Sequence, residues 1–370
     1  MARLEVICSI NMGQSPESSS YNESGEGMPF FQGNADFGEL HPKVRIWCNA
    51  PTKIAECGDI LISVRAPIGA LNIANEQCCI GRGLAALTAN EALCDLKYLW
   101  YGLECKVDEL NSKGTGSTFK AINKKILAET EIYLPSLEEQ RRIAALLDKV
   151  SGLIAKRRAQ LDKLDLLIKA RFVEIFGDPS VNTKWSTMKL SQLGELNRGV
   201  SKHRPRNDPR LLGGAYPLIQ TGDVSNSGLY ILNYSSTYSE LGLEQSRLWK
   251  SGTLCITIAA NIAHTSILTF DACFPDSVVG FVPNDNTNSV FVHYWFSFFQ
   301  KILEEQAPQV AQKNINLKIL SDLDVIVPPY TLQEDFSAFV GQVEKSKLMI
   351  QQSLDKLETL KKALMQQYFG

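Results

Sequence analysis

The chain repeats itself once, and this duplication constrains its fold more than any other feature of the sequence. The Leu-Asp-Lys-Leu run at residues 161–164 returns 193 residues later at residues 354–357. The Ile-Asn-x-Lys-Ile-Leu pattern of residues 122–127 returns at residues 315–320 with the same spacing. A fused tandem duplication can form a pseudo-dimer with twofold symmetry, as homodimers do. The sequence therefore predicts two copies of one folding unit.

Each copy begins with a globular part, in which strand-forming runs alternate with turns. Residues 60–64, 254–258 and 278–282 have the composition of strands. Residues 96–110 and 290–305 fit short helices. We predict an α+β fold with two pseudo-symmetric lobes. The boundaries are residues 1–134 for the first lobe, 135–178 for a central helical spacer, 184–327 for the second lobe and 328–370 for a C-terminal helical spacer.

Each copy ends in a long helix with an apolar stripe. Ser136 is a good N-cap for the first helix, and Glu139 three residues later completes a capping box. Lys347 and Lys361 interrupt the second stripe where the first is apolar, so the gaps of the two stripes are staggered. We expect the two helices to pair along these stripes, although each stripe could instead pack on its own lobe. The predicted seam residues are Val150, Ile154, Leu161, Leu164, Ile168 and Ile175 in the first helix, and Val343, Ile350, Leu354, Leu357, Leu364 and Tyr368 in the second.

Several classes of site are disfavoured by the composition and the motifs. The nine cysteines include no Cys-x-x-Cys pair and the four histidines lie far apart, which argues against a metal site. The N-terminus has no apolar signal core, and no stretch approaches the ~20 apolar residues of a membrane span, so we expect a soluble cytoplasmic protein. Residues 327–330, Val-Pro-Pro-Tyr, are similar to the catalytic tetrapeptide of amino-group DNA methyltransferases. Val327, however, cannot accept a hydrogen from the target amine, and we predict no catalytic residue.

The loops of both lobes carry side chains suited to DNA. Lysine and arginine neutralise phosphates, arginine can bridge guanine, and asparagine or glutamine can bridge adenine. The formal net charge of −2 is compatible with this reading, because only the groove-facing surface must be basic. The candidates are Gln32, Asn34, Lys43, Arg45, Arg65, Arg82, Lys113, Lys120, Lys124 and Lys125 in the first copy, and Arg198, Lys202, Arg204, Arg206, Arg210, Gln220, Asn261, Lys313, Asn314, Asn316 and Lys318 in the second.

The loops differ between the copies while the helices and strand edges agree. Residues 14–40 and 201–246 are unequal in length and charge. Equal scaffolds with unequal loops would read two different half-sites. We therefore predict an asymmetric, bipartite target with an unread spacer.

Several segments resemble the signature segments of the specificity subunits of type I restriction–modification systems. They lie at residues 58–69, 80–87, 117–122, 134–143 and 172–177, and with the repeat they cover nearly the whole chain. The second copy departs from the pattern at residues 259–263, where Ala-Ala-Asn-Ile-Ala replaces Arg-Ala-Pro-Ile-Gly.

The resemblance implies a complete functional assignment. The lobes would be target-recognition domains in inverted orientation, and the long helices an antiparallel coiled coil. The chain would bind double-stranded DNA and direct two modification subunits, which methylate adenine with S-adenosylmethionine. Restriction subunits that hydrolyse ATP could join them. Neither cofactor is expected on this chain, which would be a non-catalytic subunit.

Two other classes of protein compete with this reading. One is a DNA methyltransferase or nuclease that reads its own site, which binding of S-adenosylmethionine by the isolated chain would favour. The other is a coiled-coil scaffold that binds only protein. Joint replacement of Arg204, Arg206 and Arg210 by alanine would leave DNA affinity unchanged in that case.

Overall fold

The structure is a computed structural model with two compact units. It describes residues 1–116, 120–181, 184–259, 262–306 and 315–370, with only the backbone of residues 180 and 301–306. The first unit comprises Met1–Ala159 and Gln351–Gly370, and the second comprises Gln160–Ile350. Each unit therefore contains one globular lobe and parts of two long helices. No helix of the described residues is long and apolar enough to cross a membrane.

The first lobe is built from two main sheets and short helices. Its strands are β1 (Ala2–Arg3), β2 (Cys8–Met12), β3 (Tyr21–Asn22), β4 (Met28–Phe31), β5 (Ile46–Cys48), β6 (Ile54–Ala55), β7 (Ile60–Ser63), β8 (Leu71–Ile73), β9 (Cys78–Ile80), β10 (Leu84–Ala89) and β11 (Glu131–Ile132). Its helices are α1 (Leu4–Ile7), α2 (Leu96–Cys105), α3 (Val107–Lys113) and α4 (Lys124–Ala128). One sheet has the order β2-β10-β7-β8 and the other β3-β5-β4-β9-β6, while β1 pairs with β11.

Strand β7 shows why these residues form a central strand. All four of its residues are buried. Successive side chains of a strand point to opposite faces, so Ile60 and Ile62 enter one core and Leu61 enters another. A strand buried on both faces needs a continuous apolar run rather than an alternating one.

The second lobe repeats this plan, except that its first sheet has five strands and its second has four. Its strands are β12 (Thr187–Lys189), β13 (Gly194–Arg198), β14 (Leu212–Leu218), β15 (Tyr230–Ile231), β16 (Ser236–Tyr238), β17 (Leu248–Trp249), β18 (Leu254–Thr257), β19 (Thr265–Leu268), β20 (Ala272–Cys273), β21 (Val278–Pro283) and β22 (Asp324–Ile326). Its helices are α6 (Thr221–Ser225), α7 (Glu240–Glu244), α8 (Ser289–Gln306) and α9 (Leu317–Ser321). The sheets have the orders β13-β21-β18-β19-β15 and β16-β14-β20-β17, and β12 pairs with β22.

Helix caps repeat at equivalent positions of the two lobes. Asn123 caps α4 by accepting a hydrogen bond from the backbone N–H of Ile126 at 3.0 Å. Asn316 caps α9 by accepting one from the N–H of Ile319 at 2.9 Å. The shared topology and these caps confirm the predicted α+β fold with two repeated domains.

Two helices of 40 residues each complete the fold: α5 (Leu137–Phe176) and α10 (Tyr330–Phe369). In the first unit, the beginning of α5 contacts the end of α10. Nη2 of Arg142 donates to the Tyr368 hydroxyl at 3.5 Å, and Nη2 of Arg158 donates to the Glu358 carboxylate at 2.7 Å. Because the contacting residues of α10 have falling sequence numbers as those of α5 rise, these segments are antiparallel. Of the predicted seam residues of this unit, Val150, Ile154 and Leu354 are buried, and Leu357, Leu364 and Tyr368 are half-buried.

In the second unit, the end of α5 contacts the beginning of α10, again in antiparallel direction. Lys347 binds the Asp165 carboxylate at 2.8 Å, and the rings of Phe172 and Phe336 meet edge to face with centroids 5.4 Å apart. Lys347 also binds Glu344 at 2.8 Å, so the lysine that interrupts the apolar stripe is compensated by two carboxylates. Of the predicted seam residues of this unit, Ile168 and Val343 are buried, and Leu161, Leu164, Ile175 and Ile350 are half-buried.

A fully buried glutamine in the first turn of α5 holds this helix to the first lobe. Nε2 of Gln140 donates to the carbonyls of Leu93 and Pro135, both at 2.9 Å. Its Oε1 accepts from the backbone N–H of Asp95 at 2.9 Å. One buried side chain therefore pairs with three backbone groups, and its own polar atoms would be costly to leave unpaired.

Gln333 does the same in the second unit, 193 residues later. Its Nε2 donates to the carbonyls of Asn286 and Pro328, both at 3.0 Å, and its Oε1 accepts from the Thr287 hydroxyl at 3.0 Å. Gln333 is also fully buried. The helix–lobe junction is thus part of the duplicated unit.

Local details differ from the sequence prediction at two points. Ser136 does cap α5, accepting from the N–H of Glu139 at 3.4 Å, but the Glu139 carboxylate binds Arg142 at 2.6 and 2.7 Å instead of closing a capping box. The single helix predicted over residues 96–110 is wrong. The chain breaks into α2 and α3 at Lys106, whose φ of −92° and ψ of 2° are outside the helical range.

Candidate nucleic-acid interface

A loop of the first lobe, residues 32–45, collects four of the predicted DNA-binding side chains. Buried Asp36 organises it, accepting from the backbone N–H of Gln32 at 2.8 Å and from Nε of Arg45 at 3.1 Å. The backbone N–H of Lys43 donates to the Asp36 carbonyl at 2.8 Å, and Asn34 opens the 3-10 turn that contains Asp36. The charge of Arg45 is therefore compensated within the protein, whereas Gln32 and Lys43 are exposed.

Arg82 lies beside Gln32 because of the glycine that follows it. A Cβ atom on Gly83 would come within 2.4 Å of the Gln32 carbonyl oxygen, so only glycine allows the two backbones to approach this closely. The N–H of Arg82 donates to the Ser15 hydroxyl at 3.2 Å, which fixes the turn from its other side. The Arg82 side chain itself is exposed.

Arg65 and Lys120 continue this surface on neighbouring segments. The N–H of Val64 donates to the Gly83 carbonyl at 2.9 Å, and the N–H of Ala66 donates to the Lys120 carbonyl at 3.0 Å. These bonds place the Arg82 turn, Arg65 and Lys120 side by side. We call the exposed group Gln32, Arg65, Arg82 and Lys120 the first-lobe ridge. Its three cations form no ion pair with another described residue.

The remaining cations predicted in the first lobe have mixed environments. Lys113 binds Glu109 at 2.6 Å, and this hydrogen bond lowers the pKa of the Glu109 carboxyl. Lys125 lies 3.9 Å from Glu129, a loose and exposed pair, and Lys124 is exposed on the same helix. Such exposed pairs contribute little to stability, about 0–1 kcal/mol each.

The strand register shows which residues of the second lobe correspond to the first-lobe ridge. Phe30 pairs with Cys79 in the parallel contact of β4 and β9, and Leu218 pairs with Cys273 in the parallel contact of β14 and β20. Two residues after the first member of each pair come Gln32 and Gln220. The two glutamines, both predicted as base-contacting residues, therefore occupy equivalent positions.

The surroundings of Gln220 support this equivalence. Its backbone N–H donates to the Asp223 carboxylate at 2.8 Å, as that of Gln32 donates to Asp36 at 2.8 Å. Both glutamine side chains are exposed. The same backbone anchor thus presents the same side-chain amide in the two lobes.

Three residues after the second member of each strand pair, the lobes differ in charge. The first lobe has Arg82 there and the second has Asp276. Nη2 of Arg206 donates to the two carboxylate oxygens of Asp276 at 2.6 and 2.8 Å, and Nε of Arg198 donates to its carbonyl at 3.0 Å. These three residues line a cleft of about 440 Å³ together with Asn316. Asp276 was not among the predicted residues, although the repeat offset of 194 near Gly252 places it opposite Arg82.

Other cations of the second-lobe loop are tied to the protein. Arg210 binds Asp208 at 2.7 Å, and these hydrogen bonds hold the pKa of the Asp208 carboxyl well below its ordinary value. Nη1 of Arg204 donates to the carbonyls of Ser201 and His203 at 2.7 and 2.8 Å. The loop is therefore less positive than its five cations suggest, although the hydrogen-bond partners of Arg204 are carbonyls and do not offset its charge.

Six candidate DNA-binding residues of the second copy remain, of which the structure describes three. Lys202 and Lys318 are exposed, and Asn316 uses its Oδ1 as the cap of α9. Asn261, Lys313 and Asn314 lie outside the described residues.

No group of three or more His, Cys, Asp or Glu side chains among the described residues could hold a metal ion. Burial raises the pKa of Cys8, Cys78 and Cys94 to about 12, which keeps these thiols protonated at neutral pH.

A family model matches most of the chain. The model of the type I restriction modification DNA specificity domain matches residues 1–164 and again residues 182–359. The family model therefore matches the chain twice, once for each copy of the repeat.

Curated proteins with similar sequences carry related names. The "Putative type I restriction enzyme MjaX specificity subunit" of Methanocaldococcus jannaschii is 46% identical over 161 residues, which are 44% of this chain and 38% of that protein. The type I restriction enzyme MjaIX specificity subunit of the same organism is 21% identical over 83% of this chain and 76% of its own length. The EcoBI specificity subunit of Escherichia coli is 20% identical over 99% of this chain and 84% of its own length.

A solved structure shares the fold. The crystal structure of the type I restriction-modification system S subunit from M. genitalium superposes with a TM-score of 0.60 at 16% identity, over 100% of this chain and 95% of that one.

Proposed function

We propose that each lobe reads one half of a bipartite DNA target, because the chain belongs to the type I restriction modification DNA specificity family. The observation that carries this proposal is the pair of equivalent surfaces in lobes of similar topology. Gln32 and Gln220 are shared between these surfaces, whereas Arg82 is replaced by Asp276. Lobes that differ in this way would select different bases, so the whole target would be asymmetric.

The cations of each lobe would supply affinity without sequence preference. Arg65 and Lys120 are exposed, carry no described ion pair and flank the Arg82 turn. Phosphate contacts position a protein on the duplex, while contacts to base edges specify the sequence. We assign Arg65 and Lys120 to phosphates, and Gln32 and Gln220 to base edges.

The long helices would set the number of base pairs left unread between the half-sites. Each has 40 residues, which corresponds to about 60 Å of continuous helix. A lengthened or shortened helix pair would then change the spacer and leave both half-sites unchanged.

The chemistry would come from partner subunits. We propose two modification subunits, which bind S-adenosylmethionine and methylate adenine, with restriction subunits that use ATP as further members of the complex. Apolar side chains exposed on the long helices support docking of such partners. Leu167 in one unit and Leu360 in the other are equivalent in the repeat and are 47% and 46% exposed. One such position in each unit fits two copies of the same partner.

The test is coexpression of the chain with its cognate modification subunit, followed by mapping of methylated adenines in the host genome. A motif of two different half-sites around an unspecified spacer is the expected result. A short continuous palindrome would contradict the proposal. The isolated chain should not bind S-adenosylmethionine in calorimetry, and measurable binding would favour an enzyme that acts by itself.

A further inference from the structure

The turn after the parallel strand pair holds opposite charges in the two lobes. Arg82 and Asp276 each follow the paired cysteine of this contact by three residues. The next residue accepts the same backbone hydrogen bond in both lobes, from Val64 to Gly83 at 2.9 Å and from Ile258 to Ser277 at 3.0 Å. The two side chains therefore start from equivalent positions of the backbone.

Arg82 has the chemistry to read guanine. Its guanidinium is exposed, forms no ion pair with a described residue, and lies next to the Gln32 loop. A guanidinium presents two parallel N–H groups, which match the O6 and N7 acceptors that guanine shows in the major groove. The glycine at position 83 lets Arg82 share one surface with Gln32, so both side chains can reach adjacent bases.

Asp276 has the complementary chemistry. A carboxylate on a DNA-binding surface is repelled by phosphates unless its charge is compensated, and Arg206 compensates it at 2.6 and 2.8 Å. The Asp276 side chain is still 38% exposed, so lone pairs remain accessible to a ligand. An ionised carboxylate only accepts hydrogen bonds, and cytosine offers its N4 amino group in the major groove. Adenine offers an amino group next to the N7 acceptor, which would repel the carboxylate.

We propose that residues 82 and 276 are one specificity position of the duplicated lobe, at which Arg82 selects guanine in the first half-site and Asp276, held by Arg206, selects cytosine in the second. This inference rests on the proposed function and names the bases that it leaves open. It requires at least one G·C pair in each half-site of the target.

The experiment maps methylated adenines for variants of the full chain, coexpressed with the modification subunit. Arg82→Gln and Asp276→Asn each introduce an amide, which bridges adenine through N6 and N7. We expect each variant to change one base of its own half-site to adenine, guanine being lost in the first half-site and cytosine in the second. The preference for the original base should fall by about 5- to 150-fold, and the other half-site should not change.

Conservative variants separate base reading from folding. Arg82→Lys can still donate to O6 and N7, and Asp276→Glu can still accept from N4, so both should keep the original base. Co-purification with the modification subunit shows that each variant is folded and assembled. If Arg82→Gln and Asp276→Asn weakened methylation evenly without a change of preferred base, residues 82 and 276 would not read bases and the inference would fall.

The methylation motif of the unmodified chain tests the specificity assignment and the proposed function separately. A bipartite motif in which one half-site has no G·C pair would overturn the specificity assignment and leave the proposed function standing. A motif without two half-sites would overturn both.

Discussion

Replacement of Arg65 and Lys120 by glutamine should reduce the salt dependence of DNA binding without changing the sequence that is read. Both side chains are exposed, and neither forms an ion pair with a described residue. Each would release counterions when it neutralises a phosphate, which contributes about 0.9 to the slope of log affinity against log salt. The double variant should therefore make this negative slope shallower by about 1.8.

The size of the effect is large enough to measure directly. Between 50 and 200 mM salt, a slope that is shallower by about 1.8 makes the loss of affinity about tenfold smaller than in the unmodified chain. Fluorescence anisotropy with a labelled duplex of the mapped target, titrated at four or more salt concentrations, gives the slope. The methylation motif of the same variant, mapped in cells, should keep every specified base.

Two further variants make the test specific to the first-lobe ridge. Lys149→Gln with Lys156→Gln removes two exposed cations of α5, and the slope should not change. Arg210→Gln removes one arginine that a carboxylate already compensates, so the slope should become shallower by less than about 0.9. An unchanged slope in the Arg65 and Lys120 variant, or an equal change in the α5 control, would refute the assignment of these residues to phosphates.

Three predictions concern the scaffold. Gln140→Leu and Gln333→Leu should each lower the free energy of unfolding by about 2–4 kcal/mol in urea titrations, because each leaves buried polar groups without partners; a loss below 1 kcal/mol would contradict the junction role. Ala263 has a φ of 58° where the first lobe has a glycine, so Ala263→Gly should raise the melting temperature by relieving up to about 1 kcal/mol of backbone strain, and a fall would refute this. Burial lowers the pKa of His293 to about 4, so the folded state favours the neutral ring. Stability should therefore fall by up to about 3 kcal/mol as the pH drops from about 6.5 to about 4. His293→Asn, which can keep the bond to Thr265, should remove this pH dependence.

The duplication and the long helices could be predicted because their signals are local and periodic. The recurrence at an offset of 193 and the three–four spacing of apolar residues are visible without any tertiary contact. The break at Lys106 could not be predicted in this way. The apolar pattern continues through residues 96–110, and the local backbone departs from it at that one residue.

The candidate interface was predicted in part. Gln32 and Gln220 were chosen for their side-chain amides alone, and only the strand register shows that they are equivalent. The pairing of Arg206 with Asp276 spans 70 residues and has no local signal. A cation in a sequence thus indicates a possible contact with phosphate, but its effective charge depends on carboxylates that the fold brings to it.

The positions of the candidate reading residues suggest how such a lobe can change its target without losing its fold. Gln140 and Gln333 are fully buried, make three hydrogen bonds each and do the same work in both units, so a change at either is costly. Arg82 is exposed and the Asp276 side chain is 38% exposed, and the residue after each accepts the same main-chain hydrogen bond. Replacement of an exposed side chain of this kind usually alters stability by less than about 0.5 kcal/mol, while a lost base contact costs about 1–3 kcal/mol of discrimination. Arginine and aspartate can therefore occupy equivalent positions of two lobes in one chain, because the scaffold tolerates both and only the DNA would distinguish them.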